Sequence, residues 1–549
     1  MLAHNQKITG AQIHQFNNIQ QQAIPRSTFD RSFPIALTHD TDYLYPIVND
    51  EILPGDHIRL KPTLFTRLNP TVKPIMDNLY RDMHAFFIPL RILWDNFEKF
   101  QGAQINPGDS TAYTIPVYDI AAPLSTTGFA VGSLQDYMEI PPLVSADANT
   151  KINCLYERAY NLVWNEWYRD ENLDNSVSVP KTDGPDNPGM YTLLKRNKRK
   201  DYRTSALPFP QKGPAVTIPV NLGTFPVRAN STFSQILVKR DIAALSEPLR
   251  AATINNTPSG NSNYVLLGGG ALPSSTDLGW GYTNADRDTN LHVDINNGTS
   301  ISINTLRQLA TLQQMLELDA RGGTRYTEAL YSRWGVIAQD ARLQRPELIG
   351  QSSSPITVYA VPQTAPTVDG QTPQGNLAAY STGIHNGHFE YTAQEHGILL
   401  VLTNVRADLR YSQYLPRKRT RQTRTDMYEP VYANVGEQPL RQDEVKWTGV
   451  AATDAGTFGY HEAWDDYRFK DPSITGLFRP AVPSNLAVWN LSQNLGGTPV
   501  LNASFIKEGV PMSRVLAVTD EPAFLVEGHC QYIHTRAMPI RSNPGITRL

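Results

Sequence analysis

Two short basic runs hold the residues best placed for chemistry. Tyr411 to Arg424 contains Arg417, Lys418, Arg419, Arg421 and Arg424 with no acid between them, beside Tyr411 and Tyr414. Lys195 to Arg203 contains Lys195, Arg196, Lys198, Arg199, Lys200 and Arg203 against the single Asp201. Cations with nearby aromatic rings suit single-stranded nucleic acid, because phosphates are neutralised while bases stack. They equally suit a solvated loop, or arginines that pair with acids of neighbouring subunits. For the first run both readings stand; the second reads as surface or interface. Neither spacing is specific.

Patterns that would mark an enzyme are missing. The sequence has no Walker loop, HExxH or GxSxG. His461-Glu462 lacks a second histidine four residues after the first. Asp465-Asp466 has the residue types to share a cation, but adjacent acids in an aromatic segment read as a solvated loop edge. Gly108-Asp109-Ser110 superficially matches a hydrolase serine, with no partner that can be placed. Glu395-His396-Gly397 is catalytic by residue type only, and its histidine reads as a satisfied interior or interface group. The sequons at Asn230 and Asn297 matter only on a secretory route. No catalytic, cofactor-binding or metal-ligating residue is predicted.

Composition sets the elements that must carry these residues. The chain has 549 residues, 18% of them charged, and a formal net charge of −3, which argues against nucleic-acid binding over the whole surface. Forty prolines, 36 glycines and 25 tyrosines suit short strands and irregular loops. Cys154 and Cys530 form neither a disulfide framework nor a metal clip, so a reducing site of synthesis is expected. The polar, Gln/Asn-rich start is unlike a signal peptide, and no apolar run is long enough to span a bilayer. A soluble protein made in a cytoplasm is the expectation.

Residues 1–25 read as a mobile arm. Ile58, Leu60 and Leu64 alternate with polar residues after the turn Leu53-Pro54-Gly55-Asp56, which predicts a half-buried strand. His84 to Pro89 and Ile398 to Leu402 read as buried strands, and Ile356 to Val361 as an alternating one. Tyr156 to Leu173 is predicted helical, with Ala159, Leu162, Val163 and Trp167 as its apolar stripe and Glu157 and Arg158 among the polar positions around it. Residues 219–303, rich in Asn, Ser, Thr and Gly, read as an insertion. After it, Asn304 can cap a helix carrying Leu306, Leu309, Leu312 and Leu316. Gly322-Gly323 breaks that helix, and Arg325 to Trp334 starts another with Tyr326, Ala329, Leu330 and Trp334 inward.

The block Ala320-Arg321-Gly322-Gly323-Thr324-Arg325-Tyr326-Thr327-Glu328, followed by Asp340-Ala341-Arg342-Leu343-Gln344-Arg345-Pro346-Glu347, resembles the signature of gokushovirus major capsid proteins. These belong to small icosahedral bacteriophages of the Microviridae with circular single-stranded DNA. LPGD, FFIPLRILWD, RAYNLVWNEWYRDENL, DYRTSALPFPQKGP, the DMYEP to GEQ segment and FGY through FRP stand in the family order. The resemblance covers 26–549, with 219–303 the main unaligned part. The long head and the dense RKRTRQTR run depart from the pattern.

The resemblance implies a mainly β protein, an eight-stranded antiparallel jelly roll with helices and long loop insertions. Its shell domain would comprise residues 26–218 and 304–549. It implies a closed T=1 shell of sixty copies around circular single-stranded DNA. It also implies an internal scaffolding protein, a DNA-pilot protein and a small basic DNA-binding protein as partners, assembly in the bacterial cytoplasm, and residence in the virion without membrane insertion. The insertion is expected to build a threefold protrusion for a host receptor, with Asn255, Asn256, Asn261 and Asn263 near its tip. Glu395-His396-Gly397 matches a structural strand of the family. The competing reading is a secreted carbohydrate-binding or carbohydrate-active β-protein, which would need paired carboxylates and an export signal. No cofactor is expected.

Overall fold

A computed structural model describes residues 25–217, 303–368, 373–408, 410–507 and 509–541, with six short strands between 227 and 293. The chain separates into two units, residues 213–316 and the remainder. The larger is built on an antiparallel sheet of ten strands. They are β1 (Ser27–Asp30), β2 (Phe33–His39), β3 (Tyr45–Ile52), β4 (His57–Thr71), β5 (Leu79–Pro89), β6 (Glu347–Pro362), β7 (Leu377–Asn386), β8 (Phe389–Thr392), β9 (Gly397–Ala407) and β10 (Phe524–Arg536).

Their order is β1–β10–β4–β7–β6–β5–β9–β3, with β2 also beside β10 and β8 beside β4. Strand β6 joins two halves. Its start pairs with β5 from Glu347↔Phe87 to Ile356↔Leu79, and its end pairs with β7 from Thr357↔Thr382 to Pro362↔Leu377. The sheet therefore curls into two faces, one of β1/β2, β10, β4 and β7/β8, the other of β3, β9, β5 and β6. This is the eight-stranded jelly roll, with two of its strands split into pairs of segments.

Local sequence explains each face. In β4, Ile58, Leu60, Leu64 and Leu68 turn inward while Arg59, Lys61 and Arg67 face out, as period two requires. They meet Leu79, Met83 and Phe87 of β5 and Leu399, Val401 and Val405 of β9 in one core. Strand β9 is buried along its whole length, because its second face packs Ile398, Leu400 and Leu402 against Trp94, Leu155, Ala159 and Trp164. A strand covered on both sides reads as a continuous apolar run.

Helix α1 (Leu155–Val163) ends in one π turn, Trp164–Tyr168, short of the expected end at Leu173. Within that turn Asn165 Nδ2 donates to the Val177 carbonyl at 2.8 Å and its Oδ1 accepts from the Val177 N–H at 2.9 Å, which fixes the returning chain. Glu157 and Arg158 are not outward: both are buried. Helices α2 (Ile303–Arg321) and α3 (Tyr326–Trp334) form where expected, broken at Gly323, whose φ is +95°. Asn304 lies inside α2, whose first residue is Ile303. The inward placing of Tyr326 and Trp334 is also corrected: they are 70% and 75% exposed, and α3 buries no residue within its own chain.

The unit 213–316 contains three nested antiparallel pairs: Val227–Ala229 with Leu291–Val293, Val238–Arg240 with Leu278–Trp280, and Arg250–Ala251 with Leu266–Leu267. Asn255, Asn256, Asn261 and Asn263 follow the innermost strand in sequence and lie outside the described residues, as does the arm up to residue 24.

Candidate nucleic-acid and assembly interface

The run 195–203 is a strap held to the barrel. Lys195 faces Asp42 at 3.5 Å, Arg196 reaches Asp82 at 2.5 Å, Arg199 reaches Asp408 at 3.2 Å and Lys200 reaches Asp170 at 2.5 Å. The Lys198 ammonium sits 4.7 Å from the Phe505 ring centre. Arg203 makes a two-pronged contact with Asp471 at 3.0 and 2.9 Å. Burial alone would lower the Arg203 guanidinium pKa, but the Asp471 hydrogen bonds outweigh it and raise it. Lys198 and Arg203 are thus buried fastenings, while Arg199 and Lys200 pair with acids at the surface of the chain.

The run 411–424 divides. Arg417 donates to Pro439 O at 3.0 Å and to Glu444 at 3.2 Å. Arg421 pairs with Asp466 and lies 4.2 Å over Tyr467. Arg424, although exposed, reaches Glu429 at 2.9 Å. Asp426 accepts from the backbone N–H of Gln422 and Thr423, which pull its carboxyl down to about 2. Lys418 and Arg419 are exposed and have no ion partner among the described residues. Of five candidate phosphate ligands, two remain uncommitted.

The signature block ties α3 and the last turn of α2, from Glu317 on, to the rest of the larger unit. Arg321 Nε donates to Glu437 at 2.5 Å. Gly322 and Gly323 make the sharp link, and the Arg325 N–H is capped by Glu328 at 3.0 Å. The Arg325 side chain donates to the carbonyls of Asn165 and Arg169 at 2.9 and 2.8 Å, capping the end of the π turn. Arg345 pairs with Asp340 at 2.7 Å and stacks 4.5 Å over Trp167. Arg342 and Tyr326 stay on the surface. A cavity of about 570 Å³ gathers Trp167, Tyr168, Arg196, Lys200, Arg321 and Arg325, so three separate sequence motifs converge on it.

Residues that look catalytic by type have structural work. His461 stacks on Tyr202 at 4.8 Å and 9°. Asp109 caps the N–H groups of Ile105 and Asn106, and Glu395 holds Arg91 at 2.6 Å. Among the described residues no group of three or more His, Cys, Asp or Glu could hold a metal ion, and no helix is long and apolar enough to cross a membrane.

Two buried clusters escaped the sequence reading. Arg158 Nε and a terminal nitrogen each donate to Asp186 at 2.7 Å, and Asp186 also accepts from Tyr191 at 2.5 Å and Cys154 at 3.2 Å. Burial would raise the Asp186 carboxyl pKa, but these donors outweigh it and lower it. Inside the barrel, Arg81 donates to His39 Nε2 at 2.6 Å and Thr403 at 3.1 Å. Burial pushes Arg81 down to about 9 and His385 to about 3, and His39 well below its ordinary value.

The capsid protein (F protein) family model matches residues 17–546. Capsid protein VP1 of Bdellovibrio phage phiMH2K is 41% identical over 536 residues, 96% of each chain. Capsid protein VP1 of Chlamydia phage 1 is 36% identical with all of both chains covered, and that of Spiroplasma virus 4 is 34% identical over 98% of each.

Proposed function

The chain belongs to the capsid protein (F protein) family, and from that premise we propose that it assembles into a closed T=1 shell around circular single-stranded DNA. Its role is structural, as in relatives that are capsid proteins and not enzymes, and its place is the virion. This displaces the carbohydrate-active reading. One observation carries the assembly reading. A single chain leaves large apolar side chains uncovered, including Tyr326, Tyr331, Trp334 and Ile337 on and beside α3 and Met427, Tyr428 and Val431 beside the basic run. Neighbouring copies in a shell would cover such surface.

In this reading the scaffolding, pilot and small basic proteins act with the shell during assembly, and Lys418 and Arg419 contribute phosphate contacts. Residues 219–303 project outward to a host receptor. Electron microscopy of purified protein or particles tests the core of the proposal: uniform icosahedral shells containing DNA are expected, and monomers alone would overturn it. Alanine at Asn255, Asn256, Asn261 and Asn263 tests attachment. Intact particles that adsorb poorly are expected, whereas normal adsorption refutes the receptor role.

A further inference from the structure

We propose that a ring stack beside the basic run takes one unpaired base of single-stranded DNA, an inference that rests on the shell enclosing such DNA. Three near-parallel rings start it: His461 on Tyr202 at 4.8 Å and 9°, and Tyr202 near Phe469 at 6.2 Å and 13°. Tyr202 is buried, but Phe469 is 46% exposed, so the series ends in an aromatic surface open to a further planar ring. A cavity of about 130 Å³ adjoins it, bounded by Tyr202, Tyr414, Phe469, Lys418, Lys470 and Asp466. That is room for one flat ring system and too little for a folded peptide segment.

Polar groups around this cavity specify the occupant further. Asp466 holds Arg421 through Oδ2, while its Oδ1 is buried and accepts no hydrogen bond. A buried carboxylate oxygen without a donor is costly, and an arriving N–H would relieve it. Every DNA base offers an N–H, from an exocyclic amine or from the ring imide of thymine, so the site tolerates all four. Arg417 is committed to Glu444, and Arg203 to Asp471. Lys418 and Lys470 are exposed and have no ion partner among the described residues, which leaves them for the flanking phosphates. The lining balances Arg417, Lys418 and Lys470 against Glu444, Asp466 and Asp471. A phosphate inside would meet three carboxylates, and a cationic side chain would meet the lysines. A neutral planar donor meets neither objection, and stacking on an aromatic ring is how single strands are held without sequence preference.

The test uses fluorescence anisotropy of the full-length unassembled protein with a labelled single-stranded oligonucleotide and with the same backbone lacking bases. Phe469→Ala is expected to weaken binding of the normal strand about tenfold and leave the abasic strand unchanged, with Phe469→Tyr restoring it. Lys418→Gln with Lys470→Gln is expected to weaken both strands and reduce the logarithmic salt slope by about 1.4. If Phe469→Ala binds the normal strand like the parent while the lysine variant does not, DNA is held by phosphates alone and the base site is refuted, although DNA enclosure stands. If Phe469→Ala binds DNA normally but no longer forms shells, the occupant is a side chain of a neighbouring copy and the proposal fails. If the parent binds neither strand and its shells carry no DNA, the underlying reading fails as well.

Discussion

Arg158→Met should be the most damaging single change to the larger unit away from the barrel core. The Arg158 and Asp186 side chains are 0% and 2% exposed. Arg158 also donates to the carbonyls of Leu93 and Thr182 at 3.2 and 2.9 Å, so it joins α1 to the short helix Leu90–Leu93 and to the loop at Thr182. Removing it leaves a carboxylate stranded in the interior, a defect that costs about 3–5 kcal/mol. Unfolding entropy near 2.1 cal/mol/K per residue gives roughly 0.9 kcal/mol/K for a unit of roughly 445 residues. The expected fall in melting temperature is therefore about 3–6 °C if the unit melts as one. Adding Asp186→Asn removes the stranded charge, and because the two sites are coupled it should restore part of the loss. Differential scanning fluorimetry of unassembled protein measures both. A single variant that melts within about 1 °C of the parent, or a double variant with no recovery, refutes the assignment of this pair as a structural anchor.

Two further outcomes follow from groups described above. His39, His84 and His385 are depressed, His84 to about 4 and His385 to about 3, chiefly by burial. The unfolded chain thus binds more protons below its ordinary histidine pKa of about 6.5. Their contribution is complete above that pH and is lost progressively as the pH falls toward the folded values. Melting temperature should decline from pH 6.5 to 5, less steeply in His385→Asn, and a flat profile in that window refutes it. Trp334→Ala, at an exposed site, should change single-chain stability by no more than about 0.5 kcal/mol yet abolish shells in electron micrographs. Shells at the parent's yield would remove α3 from the contact surface.

Legibility from sequence followed the range of the interactions. The alternation in β4 and the apolar run in β9 are local, and both strands stand where the pattern put them. The order in which strands pair is not local, and the jelly roll was expected from motif resemblance, with which the short aromatic strands and Pro/Gly turns agree. The acids that answer the basic runs were illegible for the same reason. Asp42, Asp82, Asp408 and Asp471 neutralise the strap from distant parts of the chain, and Glu444 and Asp466 do so for Arg417 and Arg421. Arg158 finds Asp186 twenty-eight residues away, with no spacing signal. Trp334 shows a different limit. Helical periodicity locates an apolar face but not whether its cover comes from the same chain or another.

Strand β6, shared between the two faces, gives the barrel a spine and a seam. Along the spine the faces are joined by covalent backbone and ladder hydrogen bonds from Glu347 to Pro362. On the opposite side β1/β2 and β3 are terminal strands of the ladder, with no pairing between them. There the closure is by side chains: Arg31 to Asp50, Tyr532 to Asp50 at 2.7 Å, and the Asp40 N–H to the Tyr45 hydroxyl at 3.2 Å. A groove of about 910 Å³ lined by Ile35, Leu37, Tyr45 and Ile47 follows the same side. The barrel is therefore built like a clasped book. Transient opening is expected to part the clasp before it bends the spine, so that amide hydrogen exchange should be faster in β2 and β3 than in β5 and β6.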